Sequence, residues 1–462
     1  MKEITERKSF LPFGILLLAA AVVLAIGGLE VMRVGPPPEI KIQPLVPVIG
    51  KRTPVTIEVN EPNRGLSYVK VELVQGDHVE NLAEKSFAYP SALAFWGART
   101  ARDTIPVQIG RDAISGLKGG QATIRVTAGR TGTWLRHPDP AKLELTLPVR
   151  LSPPLLQVVS TQTYIAQGGC EAVVYRVGES SVRDGVQAGK WWFPGYPLPG
   201  GGKGERFAFF AIPYDMNTAD AKLVAADAAD NQAEVKFIDQ FFPKKFKEDS
   251  VDLSDAFIGK VVPEIMAQTP EVQDRGNLLD NYLAINIDLR QKDADVLKDL
   301  AKKSLQEPLW NKPFVSMQNG KVMAGFADYR TYTYKGKVVD HQTHLGYDLA
   351  VTRHAPVPAA NSGVVVQAKY FGIYGNCVII DHGYGVMSLY GHLSSIGVAP
   401  GQKVARGDII GQTGETGLAG GDHLHFAVIL DGLPVNPVEW WDGHWINDRI
   451  ARKLGPGFHF SE

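Results

Sequence analysis

Four residues in the C-terminal third of the chain have types and spacings that suit metal chemistry. His344 and Asp348 stand four apart, and His423 and His425 stand two apart. Leu424 is apolar and Phe426-Ala427-Val428-Ile429-Leu430 follows, so His423 to Leu430 reads as a buried strand. Residues i and i+2 of a strand share a face, with α-carbons roughly 6–7 Å apart. One imidazole can then bind a metal while the other faces whatever the metal activates. The i, i+4 spacing of His344 and Asp348 puts both on one side of a helix or a strand. Flat extension would separate them by about 13 Å, so Gly346 is expected to permit a bend. Zinc takes neutral histidine nitrogens and carboxylate oxygens at about 2.0–2.2 Å, and a catalytic site keeps one position open. Two histidines and one aspartate make a three-ligand, open set. A further histidine, His392, lies between the two pairs in Ser388-Leu389-Tyr390-Gly391-His392.

These residues sit in a longer framework. It contains Gly375-Asn376-Cys377-Val378-Ile379-Ile380-Asp381-His382-Gly383, Tyr390-Gly391-His392-Leu393, Gly401-Gln402-Lys403-Val404, Gly411-Gln412-Thr413-Gly414, Gly417 and His423-Leu424-His425-Phe426. From about Phe326 to Asp442 the chain resembles the lysostaphin-type zinc metallopeptidases, the family of the LytM domain. Members cleave peptide cross-links in bacterial peptidoglycan. The resemblance implies that His344, Asp348 and His425 ligate one Zn²⁺ per chain, and that His392 and His423 are the unliganded catalytic histidines. It implies peptidoglycan peptide stems as the substrate, and leaves open which of the two histidines is the general base. The chain departs from many members at Gly420-Gly421-Asp422 and at Ala427, positions that bear on substrate preference rather than on the metal.

An alternative is a non-catalytic LytM-type module that activates a cell-wall amidase; such modules usually lack some ligands, and here none is missing. A lipoyl-like carrier barrel is suggested by Gly401-x-x-Val404-x-x-Gly407-Asp408, but no lysine stands at an obvious hairpin tip. A toxin aimed at neighbouring cells is a weaker variant, because a retained anchor favours self-remodelling.

The elements that must position this site follow from the remaining pattern. A chain of 462 residues holds several domains. Its net charge of −1 argues against nucleic acid as a partner. Its two cysteines, Cys170 and Cys377, have no metal-ligand spacing and read as buried free thiols. Phe10–Leu29 carries no charge and has the length of a bilayer-crossing helix. The expectation is a single-pass inner-membrane anchor, residues 1–34, with the catalytic domain on the periplasmic side. Gly35-Pro36-Pro37-Pro38 reads as a stiff linker.

Beyond it, apolar residues alternate at Val55, Ile57 and Val59, at Val69, Val71 and Leu73, at Ile124 and Val126, and at Leu143, Leu145 and Leu147. The pattern recurs at Ala172–Val177, Phe207–Ile212 and Ala233–Ile238. The expected fold is mainly β: two immunoglobulin-like sandwiches at 35–152 and 153–240, a helical connector at 241–313 and an antiparallel β peptidase domain at 314–462. Leu253, Phe257, Val261 and Ile265 recur at helical spacing in the connector, with Ser254 as its N-cap. The aromatic run Trp191-Trp192-Phe193-Pro194-Gly195-Tyr196 reads as loop packing or a sugar platform. Protein regulators are not identifiable from the sequence.

Overall fold

The computed structural model describes residues 11–32, 35–88, 98–133 and 136–461. The charged tip Met1–Ser9 lies outside the described residues. Leu11–Met32 is a helix, but among the described residues no helix is long and apolar enough to cross a membrane. This corrects the expected single-pass anchor.

The chain divides into two compact units. One runs to Pro153 and includes Ala226–Asn231; the other takes Pro154–Ala225 and Gln232–Glu462. The first unit has two antiparallel sheets. Strands Glu39–Pro44, Thr53–Asn60 and Arg102–Ile109 form one, and His78–Ser86, Leu66–Gln75, Gly120–Arg130 and Ala141–Val149 the other. The period-two pattern decides what is buried. Val55, Ile57 and Val59 from one sheet meet Val69, Val71, Ile124 and Val126 from the other in a single core.

The second unit holds the site. It begins with two four-stranded sheets, one of them containing Cys170–Val177 and Glu205–Ala211, the other Ser181–Ala188 and Ala221–Asp227. A turn at Asp227–Asn231, residues counted with the first unit, joins Ala221–Asp227 to Gln232–Val235, with Asp230 at φ 62°. A helical segment follows. Helix Asp255–Gln268 starts at Ser254, whose side chain accepts a hydrogen bond from the Phe257 amide, the expected cap. It buries Ile258, Val261, Val262 and Ile265. Helix Leu278–Leu283 runs through a π-helical turn, Ala284–Leu289, into helix Arg290–Ala301.

The C-terminal part is built on an eight-stranded antiparallel sheet. Its order is Lys321–Ala324, Tyr347–Ala350, Leu424–Leu430, Val386–Leu393, Asn376–Gly383, Gly363–Tyr370 and Lys403–Val404, with Leu433–Val435 added to Leu424–Leu430. Beside it lies a three-stranded sheet of Glu248–Asp252, Asp328–Tyr334 and Lys337–His344. One apolar core runs from the sheets before residue 240 into this part. Phe207, Phe209 and Tyr196 reach Tyr384, with ring centroids 5.0, 6.2 and 4.8 Å apart. Trp310, Phe314 and Trp440 belong to the same cluster. Cys170 and Cys377 are free and buried, as expected.

Candidate metal centre

Strand register brings the predicted ligands together. Asp348 lies directly opposite His425 where Tyr347–Ala350 pairs with Leu424–Leu430. Gly391 lies opposite His425 on the other side, so His392 arrives from the next strand. His344 ends the strand Lys337–His344. His423 sits just ahead of its strand, in a bridge to Gly414. The strand is therefore one residue shorter than the pattern suggested.

Three atoms converge. His344 Nε2 lies 2.9 Å from Asp348 Oδ1 and 3.1 Å from His425 Nδ1, and His425 Nδ1 lies 2.9 Å from Asp348 Oδ1. All three residues are nearly buried. The chemistry of this set fits a cation. His344 Nδ1 donates to the Gly325 carbonyl at 2.8 Å, so in the neutral ring Nε2 carries a lone pair. That lone pair points at a carboxylate oxygen, which is also an acceptor, and such an arrangement is repulsive unless a cation stands between. Two imidazole nitrogens and one carboxylate oxygen are the donor set that zinc takes in catalytic sites. Burial draws His425 down to about 4, against the pull of Asp348, which keeps the ring neutral and able to ligate. Burial alone would raise the Asp348 carboxyl, but contacts with His344, His423 and His425 hold it well below the usual carboxylate range.

The chain bends at Gly346, between Lys337–His344 and Tyr347–Ala350, as expected, and the glycine serves the site in a second way. A Cβ there would stand 2.6 Å from Cε1 of His425 and 2.7 Å from the Phe426 carbonyl oxygen. Only glycine leaves room for the His425 ring.

Arg330 is a member of the site that sequence reasoning missed. Its Nη2 donates to Asp348 Oδ2 at 3.1 Å, which fixes the carboxylate with Oδ1 towards the histidines. Partners of this kind orient a ligand, and their loss weakens metal affinity about 10- to 100-fold. Arg330→Met is expected to weaken zinc by that factor in a chelator competition while the protein still unfolds in one transition. Unaltered affinity would show that Asp348 needs no such anchor.

The two remaining histidines are presented alike. His392 Nδ1 donates to the Thr416 carbonyl at 2.8 Å, and His423 Nδ1 to the Gly421 carbonyl at 2.7 Å. Each neutral ring therefore turns an Nε2 lone pair away from the backbone. Their ring centroids are 4.8 Å apart. His392 has φ 62°, a left-handed conformation that costs a non-glycine residue energy and clusters at functional sites. Burial, with repulsion from His423 and His425, holds His392 well below the usual histidine range. Burial lowers His423 too, but Asp348 outweighs it and the net shift is upward. All five residues line one cavity of about 370 Å³, with Arg330, Tyr374 and Arg290. Three further histidines of the C-terminal part serve elsewhere. His341 stacks on Tyr329, His354 is bonded near Thr413 and Asp422, and His382 is buried against Ser362 and Ser388.

Residues 342–437 match the family model described as Peptidase family M23. The segment is an M23 peptidase domain. The peptidoglycan DD-endopeptidase ShyA of Vibrio cholerae is 32% identical over 190 residues, 41% of this chain and 41% of its own. The DD-carboxypeptidase/endopeptidase Mpg of Neisseria meningitidis is 44% identical over 95 residues, 21% of this chain and 22% of its own. The chain thus spans less than half the length of these curated relatives. The catalytic domain of lysostaphin from Staphylococcus simulans is 28% identical over 27% of this chain and 92% of its own, with a TM-score of 0.24. The M23 match contains all five chemical residues, whereas Arg330 and the helical segment lie outside it.

Proposed function

We propose that the chain is a zinc metalloendopeptidase that hydrolyses peptide cross-links of bacterial peptidoglycan, with His344, Asp348 and His425 as ligands and His392 and His423 as catalytic histidines. The observation that carries this reading is the convergence of His344 Nε2, Asp348 Oδ1 and His425 Nδ1 within 3.1 Å of one another, beside two imidazoles whose Nε2 atoms are uncommitted to the backbone. The names of ShyA and Mpg support the substrate class. Zinc held by the trio supplies a Lewis acid and brings the pKa of a bound water towards neutrality. The chain's own residues do the rest. His344, Asp348 and His425 hold the ion's geometry, and Arg330 holds Asp348. His392, neutral and facing the cavity, can accept a proton from the attacking water or donate a hydrogen bond to developing oxyanion charge. His423 can exchange a proton near neutral pH.

The amidase-activating alternative has no observation in its favour, since the three proposed ligands all line one cavity. The regions 35–152 and 153–240 are proposed as immunoglobulin-like modules, 241–313 as a helical connector and 314–462 as the peptidase region.

Purified sacculi treated with the full chain and zinc should release soluble muropeptides, and a chelator should abolish the release. Sacculi left intact by the zinc-loaded protein would refute the reading.

A further inference from the structure

We propose that Arg290, on the helical segment outside the M23 match, anchors a carboxylate of the peptide substrate inside the catalytic cavity; this rests on the peptidase reading above. Arg290 lines the same cavity as His344, Asp348, His392, His423 and His425. It is half-buried and follows directly on the π-helical turn Ala284–Leu289. Such turns occur often at functional sites.

Its hydrogen bonds do not use an acid. Nε donates to the Asn286 carbonyl at 3.0 Å and Nη2 to Asn286 Oδ1 at 2.6 Å. Asn286 is itself held, with Nδ2 donating to Asp340 Oδ2 at 2.7 Å. Among the described residues Arg290 therefore makes no ion pair, and its remaining donors are uncommitted. The nearby charges are already engaged. Arg330 is bonded to Asp348, Asp252 accepts from Thr333 Oγ1, and Asp293 accepts from the Ile373 amide at 3.0 Å. A guanidinium fork in a half-enclosed, partly apolar cavity is suited to a carboxylate, which it can bind through parallel hydrogen bonds.

The position is also fixed in advance. Asp293, one turn from Arg290, grips the loop at Ile373. Glu264 Oε1 accepts from the Gly417 amide at 3.1 Å, and Lys260 pairs with Glu415 at 2.8 Å. The helices are thus tied to two loops beside the catalytic histidines. A preorganised group of this kind spends little free energy on ordering when the ligand arrives.

The carboxylate can sit at the end of a peptide or on a side chain, and the test separates these. Binding of an uncross-linked stem peptide, which lacks the scissile linkage, is measured calorimetrically to the zinc-loaded full chain. The peptide is used with free carboxylates, with its terminus amidated, and with its side-chain carboxylate amidated. Wild type should bind the free form about tenfold or more tighter than one of the amidated forms, and that form names the carboxylate. Arg290→Met should bind all three alike, and Arg290→Lys, which keeps charge but loses the fork, should fall between. Wild type binding all three alike would overturn the proposal, as would discrimination retained in Arg290→Met. Because no turnover is read, discrimination with inert sacculi would refute the peptidase reading and leave the anchor standing.

Discussion

His423→Ala is expected to keep one zinc per chain and to lose turnover by about 100- to 10,000-fold, the range for a positioned general acid or base. His344→Ala and Asp348→Ala are expected to lose both metal and turnover. The division follows from atoms. His344 Nε2 and Asp348 Oδ1 are two corners of the donor triangle, so removing either leaves two ligands. His423 stands outside it, with Nε2 3.5 Å from Asp348 Oδ1 and Nδ1 tied to Gly421. Its deletion takes away a cavity-facing imidazole and no corner. Metal analysis of the purified variants, with the rate of muropeptide release, checks both halves. A His423→Ala protein that cannot hold zinc would make His423 a ligand and reverse the assigned roles.

Trp440→Ala is expected to destabilise the second unit by about 3–5 kcal/mol. Trp440 is fully buried. Its ring lies 5.8 Å from that of Trp310 and 5.3 Å from that of Phe314, and its carbonyl accepts from the Phe314 amide at 3.0 Å. Phe314 in turn packs edge-on against His382, 4.9 Å away. The surrounding cluster extends through Tyr384 to Phe207 and Phe209. A cavity there is felt by the sheets before residue 240 as well as by the M23 domain. One cooperative transition should move down by roughly 6–10 °C, at about 2 °C per kcal/mol for a unit of this size. Two transitions, of which only one moves, would show that the cluster does not couple these sheets.

The two pairs, His344 with Asp348 and His423 with His425, were legible in the sequence because each spacing is local, whereas the choice of His425 over His423 as a proposed ligand came from the family resemblance. A period of two put His423 and His425 on one face, and the register Asp348 to His425 completes what the spacing implies. Arg330 was not legible. It acts through Asp348 from a different sheet, and a lone arginine in Asp328–Tyr334 has no pattern to mark it. Arg290 was hidden for the same reason: helical periodicity tells which residues face inward, not which cavity they face. Gly346 was singled out for the bend that it makes, but its crowding against His425 was hidden, because that residue lies far along the chain. The uncharged stretch is helical from Leu11 onward, but charge and length alone did not carry the expectation of a membrane span. The shared core around Tyr384 was equally invisible, because alternation shows that a side chain is buried and not what it is buried against.

Anomalous scattering at the zinc edge, from crystals of the zinc-loaded full chain, tests the donor triangle most directly. The account predicts one strong peak about 2.0–2.2 Å from His344 Nε2, Asp348 Oδ1 and His425 Nδ1, with no bond to His392 or His423. A peak ligated by either of those two, or no peak in this cavity, would contradict it.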